Sequence, residues 1–310
     1  MVTMEEEWTY HGYRAIFLQN NRLRVVILPQ LGGKVLSIDS LQDGRRLLWL
    51  NPARVPHPVA TGASFDDNFL GGWDVLFPND LPEELGGEPY PDHGELWTAS
   101  WTHHPIDAGT VLLKCQTPIS GCRITRRISL DADEATIVVT ETVTNLTRTS
   151  LPYLWKQHLA LSVTEGDRVL IPEGSPTLMG DFGAPRAGRP GHAFSWPMSE
   201  GTDMAPVLPK DSGTSEFYFV TDLLEGTIGL SYADDAELRV TFERSHYPSC
   251  WVFASFGAWR ATNVLILEPC TGYPLEVAAG VRDATHRVLP PEGEISLSLT
   301  LTYAPTRRGR

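Results

Sequence analysis

The sequence predicts an all-β fold, a large antiparallel sandwich or barrel, and three observations carry the prediction. Apolar residues recur at every second position in many short runs. Polar turn residues separate these runs. No window carries a convincing 3.6-residue period. Residues 294–303 are the clearest run: Ile295, Leu297, Leu299, Leu301 and Tyr303 alternate with Ser296, Ser298, Thr300 and Thr302. That alternation describes a strand with one buried face and one wet face.

The elements follow in chain order. Residues 23–28 form a first strand rich in Val, Ile and Leu, and Leu31-Gly32-Gly33-Lys34 is a tight turn after it. Residues 52–91 are rich in Pro, Gly, Asp and Asn yet carry Phe65, Phe69, Trp73, Phe77 and Tyr90. These are too many aromatics for a solvated linker, so the stretch reads as an ordered loop that lines a site. A turn then leads into a strand around residues 97–101. Residues 110–115, 124–130 and 135–144 are further strands, with Asp131-Ala132-Asp133 as a turn between the last two. Residues 173–210, with six prolines, read as a rim loop or partner surface. Residues 217–221, 227–232 and 238–242 are strands, and Asp234-Asp235 is the turn before the last of them. The 24 prolines and 27 glycines, spread along the chain, break any long helical window. With no repeat, low-complexity tract or obvious linker, one domain over residues 1–310 is expected.

Composition narrows the function classes. The net charge of -13 repels phosphate backbones and anionic lipids, so neither nucleic acid nor membrane is an expected partner. No apolar run approaches the ~20 residues of a membrane span. The early Glu5-Glu6-Glu7 run does not read as a secretory signal. The four cysteines have no C-x-x-C spacing and make neither a disulfide scaffold nor a zinc ribbon, so a reducing cytoplasm is expected. Adjacent His103 and His104 would face opposite sides of a strand, a poor arrangement for a metal, and no metal site is expected.

Three places carry candidate chemistry. Tyr90-Pro91-Asp92-His93-Gly94-Glu95-Leu96-Trp97 puts an imidazole, two carboxylates and an indole within a few residues. In the strand around His158, Trp155, Leu159, Leu161 and Val163 share an apolar face, and Lys156, His158, Ala160 and Ser162 share the other. His158 therefore points into solvent or a polar cavity. Glu268 ends the aliphatic run Val264-Leu265-Ile266-Leu267, where partial desolvation raises its pKa and suits a general base. Trp73, Trp97, Trp101, Trp251, Phe253, Phe256 and Trp259 lie near these candidates or at similar strand ends. Aromatic faces pack on the C–H faces of sugars, and carboxylates bind hydroxyls, so the combination suggests a carbohydrate site. Arg126, on the same strand face as Ile124 and Ile128, is a candidate to point into a cleft.

Taken together these segments resemble the aldose 1-epimerase (galactose mutarotase-like) superfamily. The resemblance runs through the turn at residues 28–35, Gly71-Gly72-Trp73-Asp74-Val75-Leu76-Phe77-Pro78-Asn79, His93-Gly94, His158, the tract at residues 251–260 and Leu267-Glu268-Pro269. It implies a large antiparallel β-sandwich of the galactose mutarotase-like supersandwich type, with no cofactor. It also implies interconversion of the α and β anomers of a free aldose. Glu268 would take the proton of the anomeric hydroxyl and His158 would protonate the ring oxygen. His93 would be a second group near that oxygen or a neighbouring hydroxyl. Trp73, Asp74, Trp97, Lys156, Trp251 and Arg260 are the candidate substrate contacts. The Asp92-His93-Gly94-Glu95-Leu96-Trp97 segment departs from the Asn-x-x-His-Gly-Gly style loop of well-studied galactose mutarotases, which leaves the sugar open. A hexose-6-phosphate epimerase would need an arginine cluster. A non-catalytic carbohydrate-binding or sensor protein on the same fold is the alternative. Paired carboxylates for hydrolysis are not evident. A homodimer is left open by the sequence.

Overall fold

The computed structural model describes residues 1–273 and 275–306. Two large antiparallel sheets, of thirteen and eight strands, dominate it. Alternating apolar residues from both sheets meet in one shared core. On the smaller sheet, Cys122–Leu130, Thr136–Asn145 and Glu294–Ala304 lie side by side, with Ile128 opposite Val139 and Val139 opposite Leu299. These are the strands whose period-2 alternation is plainest in the sequence. One of their faces is wet, so the sequence must alternate.

The larger sheet is covered on both faces near its middle. Its central order runs Trp73–Leu76, Lys156–Leu161, Asn263–Cys270, Ser249–Phe256 and Thr214–Val220. All six residues of Lys156–Leu161 are buried. Gln157, Leu159 and Leu161 face the smaller sheet, while Lys156, His158 and Ala160 face outward beneath a second apolar cluster that includes Phe65, Phe69 and Trp97.

Several sequence expectations are corrected. Residues 52–91 are not one loop: Trp73–Leu76 within them is a central strand, pairing with Lys156–Leu161. Its four residues are all buried, so it shows no alternation. Residues 173–210 are not a rim loop either. Pro176–Met179, Ala193–Ser195, Met198–Ser199 and Thr202–Asp203 extend the larger sheet at one end. Residues 97–101 turn rather than extend, and the strand begins at Thr102. Among the described residues two short α-helices occur, Phe65–Asn68 and Val277–Asp283. Two turns or fewer are too short to display a period. The Val277 and Ala278 amides at the start of the second helix donate to the Glu83 carboxylate.

Arg126 points into the core between the sheets, not into a cleft. It is fully buried, its Nε 3.1 Å from Glu141 Oε1, its Nη1 donating to the Gly33 carbonyl and its guanidinium 5.0 Å from the Trp73 ring. Glu141 also accepts from Trp155 Nε1 and Gln157 Nε2, which ties the two sheets together behind the Lys156–Leu161 strand.

Candidate functional site

The outer face of the larger sheet carries the polar residues that alternation assigned to it. Register places Asp74 opposite His158, and Trp251 opposite Glu268. Lys156 pairs with Cys270 and Leu159 with Leu267, which leaves Glu268 beside the Lys156–His158 stretch. Lys156 Nζ contacts the Asp80 carboxylate and stands 2.7 Å from Glu268 Oε2.

Asp80 follows the Trp73–Leu76 strand, and the chain then returns to it through the His93 turn. The His93 amide donates to the Asp80 carbonyl at 2.6 Å, and the Glu95 amide to the Phe77 carbonyl at 2.8 Å. Asn79 Nδ2 donates to the Leu81 and Pro91 carbonyls and closes the loop between them. His93 and Gly94 both have left-handed backbone, φ 58° and 73°. A Cβ on residue 94 would collide with the Phe77 carbonyl oxygen, so only glycine permits this close approach. The turn aims the His93 ring between two carboxylates, with Nδ1 2.7 Å from Asp92 Oδ1 and Nε2 3.8 Å from Asp80 Oδ1. Asp92 is oriented by the Phe65 amide, which donates to its Oδ2 at 2.7 Å.

These groups open onto a cavity of ≈ 350 Å³. Asp80, His93, Lys156, His158 and Glu268 form its polar side, and Phe65, Phe69, Phe253 and Trp259 its apolar walls. The two histidines have different surroundings. Phe65 stacks on His93, centroids 4.1 Å apart and planes within 8°. His158 instead meets Phe65 and Phe69 edge-on at 5.2 and 5.3 Å, and its Nδ1 has no hydrogen-bond partner.

The titration behaviour follows from this layout. Burial pushes the His158 imidazole well below its ordinary pKa, and the nearby Lys156 and His93 charges push it further. Burial also disfavours charge on His93, but the Asp80 carboxylate and the hydrogen bond to Asp92 outweigh it and raise its pKa. Burial raises the Glu268 carboxyl, and Lys156 opposes without cancelling the rise. Lys156 is raised above the ordinary lysine range despite its burial, because Asp80 and Glu268 flank it.

Of the nine residues singled out in the sequence, Glu268, His158, His93 and Lys156 meet at this cavity, and five do not line it. Trp73 faces the inter-sheet core, where its indole N–H donates to Gln157 Oε1 at 2.8 Å. The Asp74 carboxylate is held by Lys34. Trp97 lies behind Phe65, its indole N–H donating to the Asp92 carbonyl. Trp251 lies under Lys156, whose ammonium is 4.2 Å from the ring centroid. Arg260 is on the surface, paired with Asp67 at 2.8 Å. Asp66, Asp181 and Phe182 line the cavity without having been singled out. Asp181 and Phe182 come from an irregular segment and Asp66 from the four-residue helix Phe65–Asn68, and neither is long or regular enough for a period to mark the inward side chains. Asp80 is not among the residues singled out, and no local signal in the sequence announces its pairing with Lys156, 76 residues away.

No protein-family model matches the chain. Among solved structures, it is similar to a Klebsiella pneumoniae protein provisionally termed an aldose 1-epimerase, at 15% identity over 95% of this chain and 80% of that one, with a TM-score of 0.74. It is also similar to galactose mutarotase-like proteins from Clostridium acetobutylicum (17% identity, 97% and 98% covered, TM-score 0.67) and Lactobacillus casei (17%, 93% and 99%, TM-score 0.66). At these identities the likeness is one of fold. The chain is an all-β protein with the fold of the galactose mutarotase-like structures.

Proposed function

We propose that the protein is an aldose 1-epimerase-like isomerase that interconverts the α and β anomers of a free aldose by ring opening and closure. The observation that carries the reading is the meeting of Glu268, His158 and His93, from three distant parts of the chain, on one cavity walled by phenyl and indole rings. Opening a hemiacetal needs one proton removed and one supplied. Glu268, with its pKa raised toward the working range, is the base that takes the anomeric proton. A histidine returns a proton to the ring oxygen, the C1–C2 bond rotates, and the ring closes on its other face. The aromatic walls suit the C–H faces of a sugar ring.

A hexose-6-phosphate is disfavoured. Among the described residues no arginine lines the cavity, and its one lysine is already held by two carboxylates. A non-catalytic sugar-binding role would not require an acid and a base on the same wall.

Saturation-transfer NMR across free aldoses and their 6-phosphates tests the reading, with Glu268→Gln and His158→Asn beside the wild type. Anomer exchange above buffer that Glu268→Gln loses is the expected result. Sugar binding without exchange would make the protein a receptor and overturn the proposal.

A further inference from the structure

Four of the polar residues that line the cavity, with Asp92 behind His93, make a line of alternating charge: Glu268, Lys156, Asp80, His93, Asp92. Adjacent members are in contact or within 3.8 Å. His158 stands outside it, between phenyl edges. Resting on the proposed reaction, we infer that the Lys156–Asp80 pair couples the base to the acid: Lys156 holds Glu268 ionised, Asp80 holds His93 protonated, and His93 rather than His158 protonates the ring oxygen.

Geometry carries the assignment. Among the described residues Lys156 is the only cation in contact with Glu268, and a buried carboxylate without one stays protonated and takes no proton from a sugar. His93 has a carboxylate at each ring nitrogen and a phenyl ring stacked on its face, three neighbours that favour the imidazolium. His158 has no carboxylate partner, and its apolar surroundings favour the neutral ring. Nδ1 of His93 is engaged by Asp92, so Nε2 is the nitrogen that donates. In the forward step, Glu268 removes the proton from the C1 hydroxyl and the C1–O bond becomes the aldehyde C=O. The bond from C1 to the ring oxygen breaks with its electron pair on that oxygen, which takes the Nε2 proton of His93. Closure on the other face returns both protons, and nothing is consumed. Neutral His158 is left to accept or donate a hydrogen bond to a substrate hydroxyl.

The titrating groups facing His93 are Asp80, Asp92, Asp66, Lys156, His158 and Glu268, and those facing Glu268 are Lys156, Asp80, His93 and the Cys250 and Cys270 thiols. The rate rises as Glu268 ionises and falls as His93 loses its proton, so the pH–rate profile is a bell. Lys156→Met removes a positive charge from both groups. Both pKa values rise, and the whole bell moves to higher pH by about 1 unit or more. Asp80→Asn removes a negative charge from both and moves the bell to lower pH. Opposite displacements by two neighbouring buried substitutions are not what general structural damage produces.

The experiment has two readouts. Side-chain ¹⁵N NMR of the wild type across pH requires no turnover and no variant. It is expected to show His93 losing its second proton above the ordinary histidine value and His158 staying neutral well below it. Anomer-exchange profiles of the wild type, Lys156→Met and Asp80→Asn give the displacements. Because Lys156→Met removes a buried ammonium and its fold is at risk, Asp80→Asn and the wild-type titration each test the assignment alone. Absence of exchange in the wild type overturns the reaction itself. Exchange with a doubly protonated His158, or a bell that moves the same way in both variants, overturns the His93 assignment and leaves the reaction standing.

Discussion

The Lys156 ammonium stands 2.7 Å from Glu268 Oε2, on the strand next to it, with both side chains almost wholly buried. Such a pair contributes little net stability, because desolvating two charges offsets most of their attraction. Its consequence is electrostatic: it keeps a carboxylate ionised in a place that water would otherwise have to reach. Glu268→Gln keeps the shape of the side chain and removes the base, and Lys156 retains Asp80 as a partner. The variant is expected to fold, to bind the sugar, and to exchange anomers about 10²–10⁴-fold more slowly. Saturation transfer read beside a thermal melt checks this. A wild-type rate in Glu268→Gln removes Glu268 from the mechanism.

Charge at the cavity also sets which sugars enter. Asp66, Asp80, Asp181 and Glu268 line it against one lysine and two histidines. A dianionic 6-phosphate therefore meets net repulsion in a partly desolvated space. The free aldose is expected to be exchanged faster than its 6-phosphate at equal concentration. The ratio of kcat/KM for the two, measured on one sugar, decides it, and a preference for the phosphate contradicts the site described here.

The His93 turn depends on Gly94. Gly94→Ala places a methyl group against the Phe77 carbonyl at a φ of 73°. Incompatible backbone of this kind costs more than about 1 kcal/mol. The cost falls on the turn that aims His93, so urea midpoint and exchange rate are expected to drop together. Full activity in a folded Gly94→Ala protein means the turn does not position His93.

What was legible in the sequence divides along burial. Glu294–Ala304 and its neighbours in the smaller sheet have one wet face, so their alternation shows. Trp73–Leu76 is buried on both faces, shows none, and was hidden in a presumed loop. The same contrast governs the site. Alternation separated His158 and Lys156 from Leu159 and Leu161, and the structure puts them on opposite faces of the sheet. Trp73 and Arg260 rested on residue type and on their place in the segments that carry the resemblance, not on alternation. The first packs in the core and the second pairs with Asp67 at the surface. Asp80 and Lys156 meet only through folding, and residue types at such a separation carry no local signature.

Behind the site, Arg126 and Glu141 form an ion pair with side chains 0% and 1% exposed. Removing one partner strands the other charge in the core. Arg126→Met and Glu141→Gln are each expected to cost about 3–5 kcal/mol. The double variant is expected to cost less than the sum, because no charge is then left unpaired. Glu141 also fixes Gln157, the residue between Lys156 and His158, so the Glu141 variant is expected to slow anomer exchange as well. A denaturant double-mutant cycle measures the coupling, and additive single costs would mean the two charges are stabilised independently.

The two histidines contribute to stability with opposite pH dependence. The folded pKa of His93 lies above the ordinary histidine value of ~6.5. Its contribution is therefore fully present below that value and is lost as pH rises through the folded pKa. His158 has a folded pKa well below the ordinary value. Below pH ~6.5 the unfolded chain protonates this residue while the folded protein does not, so it destabilises the fold increasingly as pH falls toward its folded pKa. Denaturant unfolding at pH 7.5 and 5.5 separates the two. On that acidification His158→Gln is expected to lose less stability than the wild type, and His93→Gln more. Because the measurement needs no substrate, it tests the charge states of the pair whatever sugar the cavity holds. Equal pH dependence in both variants would mean that the Asp80 and Asp92 carboxylates do not distinguish His93 from His158.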